Sequence, residues 1–283
     1  MIKFGPSGSC EEFKAQNFKK LTDGIPWLKE KGIDCFEYSF GRGVNISEDT
    51  AISTGNAFKA ANIEMSVHAP YFINLATIEE EKKNNNINYI MDSLQALKWF
   101  QGNRVVFHPG SPCKLERREA MNVLLKAFEE IVEIKHERGY DNLLLCPETM
   151  GKGAQLGDLD EIIEIVNHGD KSIVPCIDFG HLNARDCGGI KTKDDYRRII
   201  DKLIDKIGFE KAEKIHVHFS KIEYTGKGEV RHLTFDDTKF GPEFEPLMEI
   251  FKEYKMNPYV ICESSGTQTR DSMLMKNYYN SLN

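Results

Sequence analysis

Along the chain, apolar residues gather in eight short runs rich in β-branched and aromatic side chains: residues 2–5, 33–39, 63–68, 104–108, 142–148, 173–178, 214–219 and 258–263. Their ends follow one another at intervals of 30 to 45 residues, enough for one strand, one helix and two loops. The segments between them carry helical periodicity. The stretches Leu94 to Phe100 and Val123 to Phe128 repeat apolar residues at three and four, and Asp158 with Glu161 opens another helix in a capping-box pattern. Asn84, Asn85 and Asn86 predict a loop or an irregular helix start. Strand–helix alternation predicts a parallel sheet, and eight repeats predict its closure into a single (β/α)8 TIM barrel over residues 1–283. An open doubly wound sheet is the competing arrangement. No Pro-, Gly- or Ser-rich linker divides the chain.

Composition narrows the class. Hydrophobic residues make up 40% and charged residues 29% of the 283, which is globular and excludes a disordered, collagen-like or coiled-coil chain. No apolar run reaches the ~18 residues of a membrane helix, and the N-terminus lacks a basic start followed by an apolar core. The expectation is a cytoplasmic protein with no membrane partner. The net charge of −7 puts no global basic footprint on the surface, so binding to a polyanion would need a local patch. The seven cysteines are scattered, odd in number and never spaced as CxxC, and several sit inside apolar runs, which points to reduced core thiols.

Strands buried on both faces should be almost wholly apolar. Six of the eight runs instead end in a metal-ligand type: His68, His108, Glu148, Asp178, Glu263 and, in the seventh run, His216 or His218. In a parallel barrel these ends share one rim, where the active sites of such folds lie. One such histidine is ordinary, but six strands placing His, Asp or Glu at one rim would crowd carboxylates that repel unless a cation compensates. Of the eight histidines only His136 and His168 fall in helical stretches, where a surface or capping role is expected; His181 and His232 lie with the others near the rim. Imidazole and carboxylate without thiolate suit Zn²⁺, with Mn²⁺ or Fe²⁺ as alternatives, and this many ligands exceeds one tetrahedral ion.

At these residues the chain resembles the endonuclease IV family of apurinic/apyrimidinic DNA repair enzymes, which are trinuclear zinc barrels. The matching blocks are Val67-His-Ala-Pro-Tyr-Phe-Ile-Asn-Leu75, Val106-Phe-His-Pro-Gly-Ser111, Pro147-Glu-Thr-Met-Gly-Lys-Gly153, Cys176-Ile-Asp-Phe-Gly-His-Leu182, Ile215-His-Val-His218 and Val260-Ile-Cys-Glu263. The resemblance implies that His68, His108 and Glu148 hold one zinc ion. Glu148 then bridges to a second held by Asp178, His216 and Glu263, and His181 joins a third. It further implies a monomer that hydrolyses the phosphodiester 5′ to abasic sites in double-stranded DNA, and blocked 3′ termini, through a metal-bound hydroxide positioned by Glu148. Tyr71 and Asn74 match family positions beside the DNA, with satisfying a turn as the alternative role for Asn74. Arg42 and Lys152 are basic candidates for the backbone, with bracing a turn as the alternative role for Arg42. Lys221, Lys227 and Arg231 could add local positive charge.

The chain departs from the family pattern in two places. The family supplies its third zinc with Asp-x-His after the seventh strand, whereas here Val230 stands two before His232 and the carboxylate is Glu229, three before it; His218 or Glu223 are further candidates. Near the second strand, where the family has an Arg/Gln-rich loop, this chain reads Phe36-Glu-Tyr-Ser-Phe-Gly-Arg-Gly43, with Glu37 as a structural partner or a substrate contact. The competing function is a one-metal sugar isomerase or epimerase on the same barrel, whose Glu-Asp-His-Glu pattern Glu148, Asp178, His216 and Glu263 also satisfy. His68, His108, His181 and His232 are surplus to that chemistry. A non-catalytic metal- or DNA-binding module is the third class.

Overall fold

The computed structural model describes residues 1–282. Among these, ten strands form: β1 (Lys3–Pro6), β2 (Cys35–Ser39), β3 (Glu64–His68), β4 (Arg104–Phe107), β5 (Leu144–Pro147), β6 (Cys176–Asp178), β7 (His216–Phe219), β8 (Ile222–Thr225), β9 (Gly228–His232) and β10 (Tyr259–Cys262). Eight of them are parallel and pair in the orders β2-β3-β4-β5 and β1-β10-β7-β6. Single bridges between Ser7 and Glu37 and between Glu148 and Cys176 join the two halves into a closed eight-stranded barrel. This is the expected (β/α)8 TIM barrel, and each of the eight strands lies on one of the apolar runs. The remaining two, β8 and β9, form an antiparallel hairpin beyond the end of β7. Among the described residues no helix is long and apolar enough to cross a membrane.

Helices bury one apolar stripe each against the outside of the barrel. Glu80–Phe100 turns Ile87, Ile90, Met91, Leu94 and Leu97 inward, and Arg117–Glu137 does the same with Leu124, Phe128 and Ile131. The three asparagines at 84–86 lie inside the first of these helices rather than in a loop. Asn86 is buried and its side-chain amide donates to the Asn74 carbonyl (2.7 Å), a tertiary contact that outweighs weak helix propensity. The capping box at Asp158 and Glu161 is present, and Glu161 is also clasped by Arg117.

Inside the barrel, alternate residues stack in layers. The lowest is closed by Arg104, whose guanidinium lies 3.7 Å from the Tyr259 ring centroid and donates to the Lys214 carbonyl. Above it sit small or compact groups, among them Cys35, Ser66, Cys146, Cys176 and Ile261, all fully buried. All seven cysteines are free. Strand β1 enters this layer with Gly5, because a Cβ there would lie 1.7 Å from the Cys35 carbonyl oxygen. Gly5→Ala therefore forces β1 and β2 apart, and we expect a loss of about 3 kcal/mol or more in chemical denaturation, at the upper end of overpacking costs.

Candidate metal centre

Because side chains alternate along a strand, positions two apart point into the barrel one layer above another. Following Cys146, Cys176, Ser66 and Ile261 upward by two residues leads to Glu148, Asp178, His68 and Glu263 at the rim. On β7 the same step leads from His216 to His218. The register pairs His216 with Cys176 and His218 with Asp178, so His218 occupies the rim layer and His216 the layer beneath it. Of the two histidines in the seventh run, His218 is the one that lies with Glu148, Asp178 and Glu263; placing His216 there is corrected by the strand register.

Among the described residues four groups of donor atoms lie close enough to hold a metal ion. Three converge at this rim: His68, His108 and Glu148; Glu148, Asp178, His218 and Glu263; and His181, Glu229 and His232. The fourth, Cys176, His216 and His218, reaches into the layer beneath. Glu148 belongs to two of the rim groups through different oxygens. Its Oε2 lies 3.1 Å from His68 Nε2 and 3.2 Å from His108 Nε2, while its Oε1 lies 2.8 Å from His218 Nδ1. Glu263 Oε2 stands 3.5 Å from the same His218 nitrogen. Asp178 caps the helix Phe179–Arg185, accepting from the His181 backbone N–H with Oδ1 (2.7 Å). Its other oxygen, Oδ2, is buried with no hydrogen-bond partner, so it is free to serve a cation.

The imidazoles are held by their far nitrogens. His68 Nδ1 donates to the Ala69 carbonyl (2.6 Å), His108 Nδ1 to the Tyr71 carbonyl (3.0 Å) and His181 Nδ1 to the Thr149 carbonyl (2.9 Å). His232 Nδ1 bonds the Ser220 hydroxyl (2.8 Å). A carbonyl can only accept, so in the first three rings the proton sits on Nδ1 and Nε2 faces the carboxylates with its lone pair once the ring is neutral. His218 is reversed: Nδ1 faces the group and Nε2 faces Glu37, inside the barrel.

Without a cation, protons on imidazole balance the carboxylates. Burial opposes charge on His68 and His181, yet Glu148 beside the first and Asp178 and Glu148 beside the second push both up to about 9. Burial likewise opposes ionisation of Glu148, but His218, His108 and His68 hold it well below the usual carboxylate range. Asp178 is pushed up by burial, with Glu263 and Glu148 adding to the shift. His216, one layer lower, is brought down to about 4 by burial, against the pull of Glu37.

Glu229 reaches His181 in spite of its three-residue offset from His232. In a regular strand, residues 229 and 232 would face opposite sides. Here Glu223 pairs with Arg231 and Tyr224 with Glu229, so Val230 is an extra residue on β9 and forms a bulge. The bulge leaves Val230 50% exposed and returns Glu229 and His232 to one face, with Glu229 Oε2 3.4 Å from His181 Nε2. Gly151 completes the fit, since a Cβ there would come within 2.9 Å of the Glu229 and His181 side chains. That is a packing reason for the Gly-Lys-Gly run.

A cleft of about 390 Å³ lies over these groups, lined also by Tyr71, Lys152, Ser39, Gly41 and Gln155. Tyr71 (60% exposed) and Phe72 (42%) stand edge-to-face at its side. Ser39, at the end of β2, and Gln155, in a rim loop, carry no sequence signal beyond their place at the rim. Asn74 does not serve the cleft: its side chain is consumed by the backbone of Ala76 and Ser111 and by Cys113. Arg42 is exposed and does not line the cleft, where only its neighbour Gly41 reaches. Lys221 is buried against Glu243 and the Asp237 carbonyl, and Arg231 pairs with Glu223, so neither is a free basic group. Glu223, turned to Arg231, is no ligand candidate. His136 and His168 pair on the outer helices with Asp141, Asp170 and Glu129.

Residues 25–277 match the family model described as xylose isomerase-like TIM barrel. An uncharacterized protein of Methanocaldococcus jannaschii is 32% identical over 286 residues, covering all of this chain and 98% of its own. A probable endonuclease 4 of Mycoplasma pneumoniae is 28% identical over 193 residues, 67% of this chain and 63% of that protein, so the match spans under two thirds of the relative. Two solved structures share the fold at a TM-score of 0.72. One is a D-tagatose 3-epimerase-like protein (23% identity, 99% and 96% covered), the other an endonuclease IV from Thermus thermophilus (18%, 99% and 100%). With the barrel closed as described and the match running over most of its length, the chain belongs to the xylose isomerase-like TIM barrel family.

Proposed function

We propose that this chain, one barrel domain over residues 1–283 working as a cytoplasmic monomer, is a zinc-dependent DNA repair endonuclease that hydrolyses the phosphodiester 5′ to abasic sites. The observation that carries the reading is the set of three donor groups, two of them joined through the opposite oxygens of Glu148. The donors are imidazole nitrogen and carboxylate oxygen with no rim thiolate, which fits Zn²⁺, and a buried, unpartnered Asp178 oxygen awaits a cation. Bound there, divalent ions supply an activated water at neutral pH and charge neutralisation for the leaving oxygen.

The protein's own groups do the rest. Glu148 spans two groups and thereby fixes their separation and orients the attacking water. His68, His108 and Glu148 hold one ion; Glu148, Asp178, His218 and Glu263 a second; His181, Glu229 and His232 a third. Tyr71, exposed at the mouth, offers a face on which a neighbouring base can stack, and an abasic nucleotide costs less to extrude than a paired one. Lys152, in the cleft lining, is a point charge for the phosphate backbone.

The second reading, a sugar isomerase or epimerase, rests on the four-residue group of Glu148, Asp178, His218 and Glu263 alone. It leaves His68, His108, His181, Glu229 and His232 without a role.

Three measurements test the endonuclease reading. The purified protein should nick a duplex carrying one tetrahydrofuran abasic analogue on its 5′ side, leaving a 3′-hydroxyl. Chelator should stop the reaction, and Glu148→Gln should slow it by on the order of 10³-fold. No nick, together with ketose epimerisation and one ion per chain, would establish the second reading instead. Metal analysis should find two to three ions per chain and about one fewer in Glu229→Ala; unchanged content would remove Glu229 from the third group.

The third test is pH. Because His68 and His181 in the ion-free fold are raised from 6.5 to about 9, their stabilisation is complete below pH 6.5 and lost as pH climbs through 9. Ions bind the deprotonated rings and gain affinity over the same window. The rise in Tm produced by zinc should therefore grow from pH 6.5 to 9, and a constant increment would contradict the proton–cation exchange.

A further inference from the structure

Glu37 is a fully buried carboxylate in the middle of a barrel strand, and its charged neighbours are two imidazoles rather than a lysine or arginine. Its Oε1 lies 3.0 Å from His218 Nε2 and its Oε2 3.0 Å from His216 Nε2, with the Ser66 hydroxyl donating to Oε2 (3.1 Å). Neither Glu37 Oε1 nor His218 Nε2 makes a hydrogen bond to any group; their 3.0 Å approach is a charge-pair contact whose angle falls outside hydrogen-bond geometry. Four other rim histidines tie down Nδ1 on a carbonyl or hydroxyl and present Nε2. His218 presents Nδ1, which sends its Nε2 down into the barrel, where the neighbouring strands are paired and their carbonyls are taken up by the ladder.

Resting on the metal-centre reading above, we infer that Glu37 is a positioning residue: its carboxylate, 3.0 Å from His218 Nε2, favours the proton on that nitrogen and so keeps the Nδ1 lone pair aimed between Glu148 and Glu263. The neighbouring negative charge selects the tautomer and raises the electron density that Nδ1 offers a cation. Ser66 holds the second oxygen and sets the rotation of the carboxylate, so the chain Ser66–Glu37–His218 runs from the barrel interior to the rim. His216 occupies the remaining side of Glu37 in the layer below. A glutamate has the reach for this position because it must span from β2 to β7 across the barrel, with Ser66 on β3 small enough to leave it room.

The test uses the full chain. In the zinc-loaded wild type, ¹⁵N-resolved histidine spectra should show His218 protonated at Nε2 and metal-shifted at Nδ1. The reverse tautomer overturns the inference without any substitution. Glu37→Gln keeps an acceptor but loses the charge, and Glu37→Ala loses both. Zinc titration should show one site weakened about 10-fold in the first and about 100-fold in the second, the remaining sites holding their affinity. Circular dichroism and Tm without zinc separate this from a fold defect. If the wild type binds ions and both variants bind them identically, the role of Glu37 falls while the metal centre stands. If the wild type binds none, the metal centre falls and this inference with it.

Discussion

Four carboxylates, those of Glu148, Asp178, Glu229 and Glu263, meet within one mouth of the barrel with a fifth, Glu37, just beneath them, and every one is wholly or largely removed from water. Bringing like charges together in a medium of low polarisability is unfavourable unless positive charge comes with them. The basic groups interleaved with these carboxylates are imidazoles. Imidazole can meet the demand in two ways, by keeping a proton or by sharing a metal ion, and the same nitrogen atoms serve both. Everything else about the rim follows from that exchange: the raised histidines, the depressed Glu148 and the unpartnered oxygen of Asp178.

The barrel is well suited to building such a mouth because parallel strands deliver their C-terminal residues to one plane. Backbone carbonyls just past the strand ends, at Ala69, Tyr71 and Thr149, are free of the ladder and orient three rings without recruiting extra side chains. Where no carbonyl is free, a side chain must take over. Ser220 does this for His232, at the start of the hairpin, and Glu37 stands in the corresponding place for His218. The orientation of each ligand thus depends on whether a free carbonyl lies within reach of its far nitrogen.

Much of the fold was legible in the amino-acid order because strand–helix alternation is a strong and repeated signal, and eight apolar runs interrupted by regular helical stretches allow few closures. The convergence of His68, His108, Glu148, Asp178 and Glu263 was legible for the same reason, each being the last polar residue of an apolar run. Failures arose where a single residue's offset decides the outcome. His216 and His218 share a face, and only the pairing with β6 tells which is level with Asp178. The Glu229–His232 spacing reads as a mismatch until the bulge at Val230 is seen, and bulges leave little trace in composition. Of the two roles open to Asn74, the structure gives the turn, its amide being taken up by local backbone, whereas Lys221 reads as a free basic group because sequence does not reveal its pairing with Glu243.

Fold cannot choose between nuclease and epimerase, since solved barrels of both kinds match this one equally closely. The choice turns on what the ligands outside the four-residue group would cost if they had no function. His181 is buried, and Gly151 is held to hydrogen at its Cβ position so that Glu229 can pack beside it. A bulge, a glycine and a hairpin are all committed to joining His181, Glu229 and His232, far more structure than an exposed pair of side chains needs. Chemistry on a single sugar requires none of it, whereas cleaving a phosphodiester involves the charge already on its non-bridging oxygens and the charge that develops on the leaving oxygen as its bond breaks. A mouth that gathers three donor groups, two of them sharing Glu148, is the feature on which the proposed phosphodiester chemistry rests.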